Sequence, residues 1–252
     1  MLREFFPAGI EAFNLKNVGL ASAEARSILA TASTQTVAAK LTKPQLRRLL
    51  VKAGRRRNID TWVDRLHHVF RTPQMRHPQQ VEAAFGRQCQ ALIRQLDAAY
   101  TAADQLAHAA IDAFDQHDNA EIITSFPGLG QLTGSRLLAE LGDDPTRFTN
   151  ARALKAYAGA APITRASGKT RAVHHRNVKI RRLAAVGYVW AFAALASPGV
   201  RAHYDRRRQH GENHTPALRN TFNRLLGCLY NCIQTGQTYN EHAAFGHLNQ
   251  AT

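Results

Sequence analysis

The sequence predicts a mainly α-helical protein: a long coiled-coil-type helix, then a helical domain with a helix-hairpin-helix-like motif. Three observations carry this. Apolar residues recur at spacings of three and four along almost every segment, while convincing strand-like alternation is scarce. Ser, Thr and Pro stand where helices should start, and Gly where they should stop. The 252 residues, 44% of them hydrophobic, suffice for one large domain or two small ones with real cores.

The elements follow in order. Ala21 to Ala32 reads as a first helix. Thr42 is a plausible N-cap with Pro44 in the first turn, and Leu46, Leu49 and Leu50 supply an apolar face that ends near Gly54. Ile59 to Phe70 is a further short helix, and Thr72-Pro73 and His77-Pro78 punctuate a linker. Gln79 to about His117 is a long helix. Its stripe of Val81, Phe85, Cys89, Leu92, Leu96, Ala99, Ala103, Leu106, Ala110 and Phe114 is narrow, as in a coiled coil. Such a stripe calls for a partner, either a neighbouring helix or a second copy of the chain, so a homo-oligomer through this helix is expected. The domain plan is 1–77 as a helical region, 78–118 as the long helix, 119–240 as the main C-terminal domain and 241–252 as a tail.

Glu121 to Gly142 contains two helical stretches joined by Pro127-Gly128-Leu129-Gly130, a helix-hairpin-helix-like pattern. Gly128 and Gly130 permit positive φ and a close backbone approach, so amides of the hairpin and of the second helix's N-terminus can hold a phosphate without reading sequence. An ordinary helical corner packed by Leu129, Leu132, Leu137 and Leu138 fits the same residues. Leu183 to Val200 carries no charge. Ser197-Pro198-Gly199 should stop that helix, which at about 1.5 Å per residue then falls short of the roughly 30 Å hydrocarbon core of a membrane. It reads as a buried central helix, and no membrane partner is expected.

The formal charge is +15, and +13 of it falls between Ala151 and Arg224, where fifteen Lys and Arg face only Asp205 and Glu212. Concentrated positive charge favours a polyanion through counterion release, so DNA is the expected partner. Arg165, Lys169, Arg171, Arg176, Lys179, Arg181 and Arg182 are the candidate contacts. Within the run, Tyr157 to Arg171 is a Gly/Pro loop with Ser167-Gly168 at its tip. A hydroxyl among cations has the makings of a nucleophile toward a phosphodiester, although Ser-Gly alone is more often a plain turn.

Three cysteines make neither a disulfide framework nor a zinc site, and Cys228 and Cys232, one helical turn apart, read as small buried groups. The histidines are scattered without metal spacing. The start lacks the apolar core of a signal peptide, which points to the cytoplasm and, when DNA-bound, the nucleoid.

Phe126-Pro-Gly-Leu-Gly, Leu137-Leu-Ala-Glu-Leu-Gly-Asp, Arg147-Phe, Ala151-Arg-Ala-Leu-Lys-Ala-Tyr-Ala-Gly and Ala161-Pro-Ile-Thr-Arg-Ala-Ser-Gly-Lys follow one another in this order, then Tyr204-Asp-Arg and Asn223-Arg-Leu-Leu. The ordered set resembles the C-terminal domain of the insertion-sequence 110/116/902 transposases, from about Ala120 to Gly236, with a weaker echo at Phe5 to Phe13. The resemblance implies a DNA recombinase that moves an insertion sequence, guided by RNA, through a nucleophilic serine that matches Ser167. It also implies an N-terminal RuvC-like domain with four acidic metal ligands, which would precede Phe5. No cofactor is therefore expected on this chain itself; a divalent metal, Mg, is expected only with that domain. The expectation is a transposase portion that binds DNA but is incomplete for catalysis alone, the alternative being a non-catalytic DNA/RNA-binding module.

Overall fold

Helix starts follow their capping chemistry. In the computed structural model, which describes residues 2–14, 19–168, 170–174 and 176–246, the Thr42 side chain accepts from the Gln45 amide while the Gln45 side chain accepts from the Thr42 amide. This reciprocal capping box, with Pro44 in the first turn, starts the helix where the sequence predicts it. Ser22, Thr34, Asn150 and Asn240 cap four more helices through their side-chain oxygens.

The chain divides into two compact units, Met1–Gln105 and Leu106–Thr252, each with its own apolar core. The first contains α1 (Leu2–Phe5), α2 (Pro7–Phe13), α3 (Ala23–Thr31), α4 (Gln35–Lys40), α5 (Lys43–Lys52), α6 (Ile59–Arg71) and most of α7 (Gln79–Asp115), inside which the division falls. Its core is aromatic: Phe6 lies against Phe70, Phe13 stacks on Trp62, and Phe5 stacks on Phe85. Glu82 is a buried carboxylate. Burial raises its pKa, but the Thr36 amide and hydroxyl at 2.9 and 2.7 Å and the Arg76 guanidinium at 2.7 Å outweigh that and hold it below the ordinary value.

The second unit contains α8 (Ala120–Thr124), α9 (Gln131–Leu141), α10 (Ala151–Tyr157), a two-stranded antiparallel hairpin of β1 (Ile163–Ser167) and β2 (Thr170–His174), α11 (Arg181–Ala193), α12 (Pro198–Gln209), α13 (His214–Thr235) and α14 (Glu241–Phe245). α13 is the central element. Its Leu218, Phe222, Leu225, Leu226 and Leu229 are buried against α10, α11 and α12. Trp190 of α11 is fully buried, packs edge-on to Phe126 and Phe222, and donates from Nε1 to the Pro127 carbonyl at 3.0 Å. The chain is mainly helical, as its patterning predicts.

Two readings need correction. α11 is not buried all round. Leu183, Gly187, Trp190 and Ala191 face the core, whereas Tyr188, Val189 and Phe192 on the opposite face are exposed. The unbroken apolar composition hid this because both faces carry apolar residues. The stripe of α7 is also shifted. Cys89 and Phe114 are buried as expected, but Ile93 is buried in place of Leu92, and Leu92 and Leu106 are exposed. α11 continues into a 3-10 turn, Ala194–Ala196, so the helical run stops before Ser197 as expected, and Pro198 opens α12 after a bend of 109°. Among the described residues no single helix is long and apolar enough to cross a membrane.

Candidate nucleic-acid interface

The segment expected as a Gly/Pro loop is a β-hairpin. Ile163–Ser167 and Thr170–His174 are two short strands, in register with Ile163 opposite His174 and Ser167 opposite Thr170. The connection is two residues long, and Gly168 supplies its first position at φ +55°, a conformation that strongly favours glycine. Ser167 is exposed at the tip. At about 3.4 Å per residue the tip stands roughly 13 Å beyond Ile163. The strands pack chiefly on each other. Arg165 lies opposite Ala172 and Arg171 opposite Ala166 in the ladder. Lys169 lies outside the described residues.

The other candidates fall at two ends of one helix pair. α9 and α11 pack together. Gly128, at φ +79°, sits against the C-terminal end of α11: a Cβ there would lie 2.6 Å from the Ala194 nitrogen. That glycine is required by packing. Gly130 is the N-cap of α9 and has open space around it, leaving the first-turn amides of α9 without an intrahelical acceptor. At the opposite end, Arg182 meets Glu140 of α9 at 2.5 Å, and Glu140 holds the Arg182 guanidinium above its ordinary pKa. The two helices are thus antiparallel. The hairpin glycines and the Arg181–Arg182 pair are separated by the length of α11, roughly 18 Å at 1.5 Å per residue.

Lys179 joins the basic end. Its stem lies over Gly159, and Arg181 beside it is exposed. Arg176 is half-buried, and its Nε has no hydrogen-bond partner among the described residues. A cleft of about 660 Å³ opens at the base of the hairpin, between Pro162 and His174 on one side and Arg207, Arg219 and Asn223 on the other. Arg207 is paired there with Glu212. Sequence reasoning did not single out Arg207 or Arg219. Their signal is faint: Arg219 and Asn223 are one turn apart on α13, but only the tertiary fold brings them to the hairpin. Among the described residues no group of three His, Cys, Asp or Glu side chains is placed to hold a metal ion.

Comparison with known proteins identifies relatives. Residues 120–205 match a family model described as Transposase IS116/IS110/IS902 family, a span that includes the glycine hairpin, the serine hairpin and α11. The whole chain is 54% identical to the candidate transposase of the mini-circle IS117 of Streptomyces coelicolor, and covers 61% of that protein. It is 35% identical over 130 residues to an uncharacterised 42 kDa protein of the insertion element IS900 of Mycobacterium paratuberculosis, half of this chain (51%) and a third of that one (33%). An uncharacterised 43.6 kDa protein of the Streptomyces coelicolor insertion element IS110 is 34% identical over 134 residues, 52% of this chain and 33% of that protein. The chain therefore spans less than two thirds of the length of these relatives.

Proposed function

The chain belongs to the IS116/IS110/IS902 transposase family, and from that premise we propose that it is the DNA-handling portion of a transposase, with Ser167 as the nucleophile that attacks a DNA phosphodiester. The observation that supports this most is the hairpin. It holds an exposed serine at the tip of a two-stranded arm, inside the segment that carries +13 of the chain's +15 charge. In the proposed step the Ser167 Oγ forms a bond to phosphorus, the bond from phosphorus to the leaving sugar oxygen breaks, and the hydroxyl proton is passed to that oxygen by a base. Serine is a weak nucleophile and needs such a base and an oriented phosphate. In this reading the base and a divalent metal, Mg, would come with the RuvC-like acidic domain that the family resemblance implies.

DNA is held in this reading by phosphate contacts from Lys179, Arg181, Arg176 and the hairpin basic residues Arg165, Lys169 and Arg171. Arg182 exchanges Glu140 for a phosphate. Gly130 and the first turn of α9 offer backbone amides to a second phosphate at the other end of α11. A guide RNA presents the same phosphate chemistry to the same surface. The exposed Leu92 and half-buried Leu96 on α7 are the surface through which two copies pair. Charged residues at both positions then leave a monomer in sedimentation, and a wild-type mass of one chain at high concentration removes the pairing.

The test of the catalytic reading is a covalent adduct. The chain supplemented with a RuvC-like domain of a relative, a divalent metal and guide RNA is expected to trap protein on DNA. Ser167→Ala should abolish the adduct and leave DNA binding nearly unchanged. An adduct that survives this change rules out Ser167. Loss of binding together with the adduct assigns Ser167 to the shape of the hairpin, which favours the non-catalytic binding module.

A further inference from the structure

A second cavity, of about 520 Å³, lies on the far side of α13 from its apolar core, closed by α10, α12 and the 237–244 segment. One of its walls is a single face of α13, with Asn220, Asn223, Gly227 and Asn231 at spacings of three and four. A helix face turned toward protein is ordinarily apolar; this one is made of carboxamides. Lys155 reaches it from α10. A Cβ on Gly227 would lie 2.6 Å from the Lys155 Nζ, so the glycine is what lets the ammonium rest on the helix. A glycine in the middle of a helix weakens it, and such breaks of a local rule gather at functional sites.

The cavity is positively charged and has an unmet polar atom. Lys155 and Arg224 line it, and among the described residues no Asp or Glu does. The Tyr239 hydroxyl is buried and has no hydrogen-bond partner among the described residues, while His203, only 6% exposed, is hydrogen-bonded to the Asn220 side chain. Burial lowers the Lys155 pKa and, with Arg224, pushes His203 down to about 4, so at neutral pH the imidazole is uncharged and offers one donor and one acceptor.

We propose that this cavity binds one unpaired nucleotide, its phosphate on Lys155 and its base edge among the α13 carboxamides Asn223 and Asn231. The volume lies within the roughly 300–1,000 Å³ of small-molecule sites. A bare phosphate needs only the cations. The carboxamides are in excess of that need and match the donor–acceptor edge of a base, which they can engage bidentately. The cavity also shares Asn220 and Asn223 with the cleft at the base of the serine hairpin. A strand that follows the cleft toward Ser167 passes the cavity mouth and can turn one nucleotide into it. This inference rests on the reading that the second unit handles nucleic acid.

The experiment is equilibrium titration of the full chain with dAMP, AMP and inorganic phosphate, with duplex DNA binding measured in parallel. Saturable binding of a nucleotide is expected, about tenfold or more tighter than phosphate, and Lys155→Met should weaken it about tenfold or more through loss of a charged hydrogen bond. Arg48→Ala, at an exposed position of the first unit, should leave nucleotide binding unchanged. Bound nucleotide should also slow alkylation of Cys228, whose thiol lines the cavity. Tighter binding of dAMP than AMP assigns the occupant to DNA, and the reverse to RNA. If Lys155→Met unfolds, Asn231→Ala at the exposed lip of the cavity takes its place, with weaker nucleotide binding expected and the same melting temperature. Phosphate binding as tightly as both nucleotides, no saturation by either in the millimolar range, or unchanged affinity in the folded variants overturns the inference. Duplex binding that persists in those cases confines the failure to the cavity; its absence removes the underlying reading as well.

Discussion

The two units carry nearly the same surplus of positive charge and arrange it differently. Met1–Gln105 has sixteen Lys and Arg against eight Asp and Glu, and Leu106–Thr252 has seventeen against ten. In the first unit the charges are interleaved. Arg26 pairs with Asp97, Lys43 with Asp64, Arg47 with Asp60, Arg55 with Glu24 and Arg76 with Glu82, and the Arg26 and Arg55 guanidiniums also lie over Tyr100 and Trp62. In the second unit the signs are segregated: seven of its ten acidic residues precede Ala151, and fifteen of its seventeen basic ones follow Asn150. Interleaved charge fastens helices to one another; segregated charge makes a field that reaches an anionic ligand. Net charge alone would not have told these units apart.

The largest expected effect concerns what holds each core. Trp190 is fully buried, with two aromatic neighbours and an indole hydrogen bond, whereas Trp62 sits at the edge of its core under Arg55. Trp190→Ala should cost the second unit about 3–5 kcal/mol in urea unfolding, as large-to-small core changes do. Trp62→Ala should cost the first unit less. Equal losses would mean that Trp190 is not the centre of its core.

Acid should then expose the cavity of the second unit. His203 has a pKa of about 4 in the folded chain against 6.5 for a free histidine, chiefly through burial and then Arg224, with Arg206 and Arg207 adding to it. The unfolded chain binds the extra proton, so this stability is fully present above pH 6.5 and is lost as pH falls through the folded value. The loss is on the order of 3 kcal/mol. His203→Gln should flatten that part of the stability–pH curve; a variant as acid-sensitive as wild type would contradict the assignment. A smaller effect tests the first unit, where Thr42→Ala should remove about 1 kcal/mol by deleting the cap on α5. No change in its urea midpoint would mean that the Gln45 half of the box suffices.

Much of the helical framework was legible because it rests on local rules. Thr42, Pro44 and the leucines after them define α5 by themselves, and the Ser197-Pro198-Gly199 stop works through proline's missing amide. The serine hairpin was not legible as strands. Ile163 to His174 has five residues a side and no apolar alternation, the pattern that marks a strand in a sequence. Ser167 and Gly168 were legible as the tip, since a tight connection wants a residue of positive φ. The separation of Gly130 from Arg181 was hidden, as it depends on the antiparallel packing of α9 on α11. The polar face of α13 was hidden for a different reason: the stripe Asn220, Asn223, Gly227, Asn231 reads as a solvated face until α10 and α14 are laid over it.

The central claim is that the segregated charge of the second unit grips phosphates. Salt titration of duplex DNA binding by the full chain tests it most directly. The logarithm of the affinity should fall linearly with the logarithm of salt concentration, and removing Arg176, Lys179 and Arg181 together as alanines should make the slope shallower by about 0.9 for each phosphate that is no longer neutralised. The matching removal of the exposed Arg48, Arg56 and Arg57 from the first unit should leave the slope unchanged. Affinity that stays flat between roughly 50 and 200 mM salt, or a slope that responds equally to both sets of changes, would contradict the account.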